Sequence, residues 1–102
     1  MSEKVYKVLT QDEWSLIENE GIFQGSEFDK NDGFIHLSTK DQALGVIDRY
    51  FQGVRPLYLA EFNTKTFGEN LKWEKASNGE LFPHLYDRPL NRDDMTGFDI
   101  QK

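Results

Sequence analysis

Two stretches of this chain set a short apolar run directly before a helix-start signal, and that arrangement constrains the fold more than any other feature. In the first, Val5-Tyr6-Lys7-Val8-Leu9 is rich in β-branched and aromatic residues, as a core-entering strand is, and Thr10 with Glu13 follows at capping-box spacing. In the second, residues 34–38 read as a strand, with Phe34, His36 and Ser38 on one face and Ile35 and Leu37 on the other; Thr39 with Gln42 then repeats the box. Trp14, Ile17 and Leu16 give the first predicted helix an apolar face that stops at Gly21. Ala43, Leu44, Ile47, Tyr50 and Phe51 do the same for the second, closed by Gly53.

After the second helix the signals are those of strands. Leu57-Tyr58-Leu59-Ala60-Glu61-Phe62 follows Pro56 as a central strand, residues 63–66 read as a turn, and residues 71–75 as another strand. Asn78-Gly79 is a tight-turn dipeptide, and Met95, Phe98 and Ile100 mark a last strand, weakened by Gly97. Two segments read as irregular. Residues 21–33 gather Gly25, Ser26, Asp29, Asn31 and Asp32 without helical periodicity, and residues 83–89 begin with a proline that has no N–H to give a sheet ladder. Helices early and strands late predict an α+β fold with a mixed or antiparallel sheet, since a doubly wound parallel sheet needs a helix after each strand.

The 102 residues suffice for one domain, 1–102, with one core; apolar residues are 37% of the chain, and many are large aromatics. The absence of cysteine removes disulfides, thiolate zinc sites and cysteine nucleophiles. Met1-Ser2-Glu3-Lys4 leads straight into the first strand without the basic start and long apolar run of a secretory signal, so the expected location is cytoplasmic. No stretch reaches the roughly 20 apolar residues of a membrane span. A formal net charge of −6 with singly scattered basic residues argues against a nucleic-acid partner.

Only two histidines are present, His36 and His84, each flanked by large apolar residues. Two readings stand beside each other: functional imidazoles on facing walls of a cleft, or packed structural ones bonded to the backbone. Asp29, Asp32 or Glu74 could join them around a metal, but no pair lies four apart on one predicted helix, and no metal is expected. Ser38 and Thr39 sit where free helix-start N–H groups could hold an anion, against the alternative that they cap the helix, which is the first reading for Thr39. A serine hydrolase would need Ser26 or Ser38 as nucleophile, and neither has the glycine pattern of a nucleophile elbow. Trp73-Glu74 offers a flat ring and a carboxylate, a combination suited to nucleosides or sugars. The alternative is period-two alternation, with Trp73 in the core and Glu74 outside.

Tyr6-Lys7-Val8-Leu9, Trp14, Gly25-Ser26, the octet Asp32-Gly33-Phe34-Ile35-His36-Leu37-Ser38-Thr39, Tyr50-Phe51, Leu71-Lys72-Trp73-Glu74 and Phe82-Pro83-His84-Leu85-Tyr86 together resemble the family called domain of unknown function 952. The resemblance implies an ADP-ribosyltransferase-like fold, a mixed or antiparallel split sheet with two main helices, whose cleft binds NAD in many relatives. The RNA 2′-phosphotransferase type is the nearest look-alike and implies His36 and Ser38 on the cleft wall, facing residues 73–84. The chain departs from that group in two places: Lys7-Val8-Leu9-Thr10 stands where a His-Gly-Thr type motif would, and the phosphate-gripping arginines are not matched. The resulting expectation is a small-ligand site of nucleotide or NAD type, with NAD as a substrate. His36, Glu74 and His84 are its catalytic candidates, and Ser26, Ser38, Thr39, Trp73 and Tyr86 its ligand-binding ones. The alternatives are a non-catalytic module that binds a metabolite or a protein, and a hydrolase using the two histidines as acid and base.

Overall fold

In the computed structural model, which describes residues 3–102, strand β1 (Lys4–Thr10) runs antiparallel to β4 (Leu57–Asn63), and β4 pairs on its other edge with β8 (Met95–Gln101). Met1 and Ser2, at the head of the stretch read as lacking a secretory signal, lie outside the described residues. β4 is the central strand that its apolar run predicts, with Leu57, Leu59, Ala60 and Phe62 buried. Its register against β8 shifts between Glu61, opposite Gly97, and Phe62, opposite Met95, so Thr96 is the extra residue of a bulge.

The capping boxes form as the spacing predicts. Thr10 caps α1 (Gln11–Glu20) with Glu13 reaching back, and Thr39 caps α3 (Lys40–Tyr50) with Gln42 reaching back. The helices cover opposite faces of the β1–β4–β8 sheet. Trp14 and Ile17 of α1 join Val5, Leu9, Ala60 and Phe62 in one buried cluster, while Ala43 and Ile47 of α3 join Val8, Leu57 and Leu59 in the other. The buried face of α3 is narrower than its apolar spacing predicts: Leu44 and Tyr50 are exposed, as is Leu16 on α1, and α3 ends at Phe51 rather than running to Gly53.

A second antiparallel sheet has the order β3 (Ile35–His36), β6 (Leu81–Leu85), β5 (Leu71–Lys75). β5 and β6 form a hairpin whose tip carries Asn78-Gly79, with the Ala76 amide donating to the Glu80 carbonyl at 2.8 Å. A small pair, β2 (Ile22–Phe23) and β7 (Leu90–Asn91), lies apart. The two larger sheets meet at one bridge: the Tyr6 amide donates to the Ser38 carbonyl at 2.7 Å, and the Ser38 amide to the Tyr6 carbonyl at 2.9 Å. The architecture is thus mixed α and β with antiparallel sheets and four helices among the described residues. None of these helices is long and apolar enough to cross a membrane.

Three segments differ from expectation. Residues 21–33 contain β2 and a capped helix, α2 (Glu27–Asp32), instead of an irregular loop. Six residues are too few to show periodicity, but Ser26 and Asp29 form a full capping box, and Gly33, at φ 85°, ends the helix in the left-handed conformation. Residues 63–66 are likewise not a plain turn, because Asn63 caps the short helix α4 (Thr64–Phe67). Pro83 is the third case, for it stands inside β6, a middle strand. The Leu37 amide donates to the Pro83 carbonyl at 3.0 Å, and an amide at position 83 would have pointed back at Leu37. At the next residue, Ser38, the chain leaves β6 for β1, so the missing donor falls where the ladder ends.

Candidate functional site

Asp29, delivered by α2, is 1% exposed and collects donors from four directions. Its Oδ2 accepts from the Ser26 amide at 3.0 Å and lies 2.9 Å from Lys7 Nζ, while its Oδ1 accepts from the His36 amide at 3.1 Å and from His36 Nδ1 at 2.6 Å. Burial by itself pushes this carboxyl up. The His36 bond, the Lys7 charge and the Ser26 amide outweigh that effect and hold it well below the usual carboxylate range. Gly25 makes room for the arrangement: its φ is +113°, and a Cβ there would lie 2.9 Å from the Asp29 Cβ.

The Lys7–Asp29 pair takes the place of a neighbouring strand. His36 faces His84 in a position between hydrogen-bonded pairs, so its amide and carbonyl point away from β6. Asp29 takes the amide, and Lys7 Nζ donates to the carbonyl at 2.9 Å. Facing residues of this kind stand close together, and the two imidazole centroids are 5.5 Å apart with their planes at 70°.

His84 is oriented by a second carboxylate, its Nδ1 lying 2.7 Å from Glu74 Oε1. The Tyr86 hydroxyl donates to the same oxygen at 2.6 Å. The bonds from Tyr86 and His84 hold the Glu74 carboxyl below its ordinary value, and in return the Tyr86 phenol is pushed up to about 12. Among the described residues His84 Nε2 has no hydrogen-bond partner, whereas His36 Nε2 lies 3.0 Å from Asp32 Oδ2. Phe34 ties the cluster together, with its ring centroid 4.1 Å from His84, 4.6 Å from His36 and 5.1 Å from Tyr86. Phe28 stacks on His36 at 4.6 Å, and beside Phe34 a groove of about 410 Å³ is lined by Gln24, Asp29, Lys30, Asp87 and Arg88.

Of the residues singled out from the sequence, His36, His84, Glu74 and Tyr86 lie together on one face of the β3–β6–β5 sheet. Four others lie elsewhere or are engaged within the fold. Trp73 alternates with Glu74 along β5 and packs against the main apolar cluster, so it cannot stack a ring beside that carboxylate. The Thr39 and Ser26 hydroxyls accept helix-start amides, from Gln42 and Asp29 respectively. Ser38 is buried where the chain crosses to β1. Lys7, Phe28 and Phe34 are the members sequence reasoning passed over, and Asp29 and Asp32 entered it only as possible metal ligands. A lysine amid the apolar run of β1 and the Ser26–Asp29 spacing were the available signals. Among the described residues no group of three or more His, Cys, Asp or Glu side chains is placed to hold a metal ion.

The family model described as protein of unknown function (DUF952) matches residues 8–98. The chain belongs to that family. This DUF952 protein is similar to protein CC0527 from Caulobacter crescentus, whose crystal structure superposes with a TM-score of 0.88 at 40% identity, covering 95% of this chain and 84% of that one. The solution NMR structure of CC0527 gives a TM-score of 0.81 at 39% identity over 96% of this chain and 84% of that one. No curated protein matches the sequence.

Proposed function

We propose that this DUF952 protein acts as one domain, similar in fold to the ADP-ribosyltransferases, with a small-ligand site of nucleotide or NAD type on the His36–His84 face. The chemistry in view is ribosyl transfer or cleavage of the NAD glycosidic bond. The observation that carries the reading is the state of Glu74. Two donors fix its Oε1, yet the side chain is 41% exposed, so Oε2 is left to accept a ribose hydroxyl and to face the positive charge that develops on the ribose. Phe34 and Tyr86 take the ring-stacking role that Trp73 cannot. In hydrolysis the ribosyl C–N bond breaks with its electron pair going to nicotinamide. Water then bonds to the ribosyl carbon and releases a proton, for which His84 Nε2 is the free acceptor.

A second reading, ligand binding without turnover, is favoured by the state of Arg88. Its guanidinium donates to Asp94 and to the Thr66 and Pro89 carbonyls and lies over the Phe67 ring, so it is not free to clamp a phosphate. NMR titration with NAD and ADP-ribose, paired with a nicotinamide-release assay, separates the cases. Saturable shifts at His36, His84 and Tyr86 with an unmoved Trp73 indole are expected. Shifts without release select the binding module, and silence at millimolar ligand rejects the nucleotide site.

A further inference from the structure

His36 is held between two carboxylates of unequal hold. On the inner side, Nδ1 meets Asp29, which is buried and fixed by Lys7, the Ser26 amide and the His36 amide. On the outer side, Nε2 meets Asp32, whose side chain is 43% exposed. Each ring nitrogen thus faces a carboxylate oxygen, the inner one fixed and the outer one exposed. Behind the ring the Lys7 and Asp29 charges offset each other at 2.9 Å. Nε2 is therefore the outward polar atom of the ring, and a carboxylate from the chain's own surface covers it.

The ring is anchored and its cover is not. Phe28 and Phe34 pack against the imidazole at 4.6 Å each, and Asp29 fixes its orientation. Asp32 is the last residue of α2, where the helix dipole disfavours a carboxylate, and the glycine that follows has open space around it. Turning the exposed Asp32 side chain about its own bonds would uncover Nε2.

We infer that Asp32 is an internal stand-in for a ligand phosphate: a phosphate oxygen binds His36 Nε2 in the position its carboxylate occupies, and ligand entry turns Asp32 outward. This rests on the nucleotide-type reading above and supplies that ligand's phosphate subsite, in a chain whose nearby arginine is engaged elsewhere. Affinity is then reduced by the factor with which Asp32 holds the site closed.

Inorganic phosphate is the probe, followed through the His36 ring signals near neutral pH in the wild type, Asp32→Asn, Asp32→Ala and His36→Gln. Asp32→Asn keeps an acceptor and loses the charge, and Asp32→Ala removes the competitor; both change an exposed side chain that the core does not need. Saturable binding at His36, about tenfold tighter in both Asp32 variants and absent in His36→Gln, is expected. Unchanged or weaker binding in both Asp32 variants, or shifts scattered over surface lysines, overturns the inference. Adenosine, which has no phosphate, separates the two levels. If it moves His84 and Tyr86 while phosphate misses His36, the nucleotide reading stands and the Asp32 inference falls. If phosphate binds as expected and neither adenosine nor NAD moves His84, the subsite stands and the nucleotide reading falls.

Discussion

Removing the Lys7 ammonium is the sharpest test of how the His36 strand is held. In Lys7→Met the Asp29 carboxylate, 1% exposed, loses a partner at 2.9 Å, and the His36 carbonyl loses its donor. Breaking one side of a buried ion pair costs about 3–5 kcal/mol, because the remaining charge is left without compensation in a place water does not reach. Asp29→Asn strands the ammonium instead and falls in the same range. In the double variant Lys7→Met with Asp29→Asn no charge is stranded, so its cost should fall short of the sum of the singles by about 2 kcal/mol or more. Urea unfolding at neutral pH measures all four proteins, with unchanged m-values required for the comparison. Against a total stability of about 5–15 kcal/mol, each single change should lower the midpoint severely. Singles costing under about 1 kcal/mol, or strict additivity, would refute the view that this pair replaces a strand partner.

The same carboxyl should contribute to the loss of stability in acid. Its folded pKa is depressed below the ordinary value of 3.8, so its contribution is fully present above that value and is lost as pH falls through the folded one. Urea midpoints of the wild type should drop through this range below about pH 4, and Asp29→Asn should lack that component of the drop. Glu74→Gln should bring the Tyr86 phenol from about 12 back toward 10.0, read by alkaline ultraviolet titration, while Tyr6, pushed up to about 12 by burial and its bond to Glu61, stays where it is. Gly25→Ala should destabilise by more than about 1 kcal/mol and by more than Gly21→Ala, since both positions have positive φ but only at Gly25 does a Cβ meet another side chain; thermal unfolding ranks the two.

The sequence was most readable where local chemistry and tertiary packing agree. Thr10–Glu13 and Thr39–Gln42 announce helices that then bury Trp14, Ile17, Ala43 and Ile47, and Ile35 and Leu37 alternate with Phe34 and His36 as period two requires. It was least readable where a short polar segment serves a distant partner. α2 holds only six residues, and of these Asp29 is buried because Lys7, 22 positions earlier, needs it. No window over residues 21–33 contains that lysine. At Trp73 two readings stood open: a large ring beside a carboxylate suggests a ligand site, and period-two alternation puts neighbours on opposite faces, which is the arrangement found. His36 and His84 meet through sheet register, which the spacing between them does not encode.

The candidate site owes its place to the break between the two sheets. If β3 continued along β6, position 83 would need an amide and His36 would sit mid-ladder; if β3 continued along β1, the His36 amide and carbonyl would be spent on that strand. Pro83 ends the first pairing, Tyr6–Ser38 begins the second, and His36 falls between them with both outward backbone groups open. An ion pair fills that gap because one carboxylate and one ammonium reproduce the acceptor and donor of the missing strand. Filling it with side chains instead of a strand puts a carboxylate beside His36 Nδ1, where no backbone could supply one. Asp29 and Lys7 between them satisfy the two backbone groups at the split, and Asp29 also orients the His36 ring, so any change that repairs the ladder would remove that orientation with it.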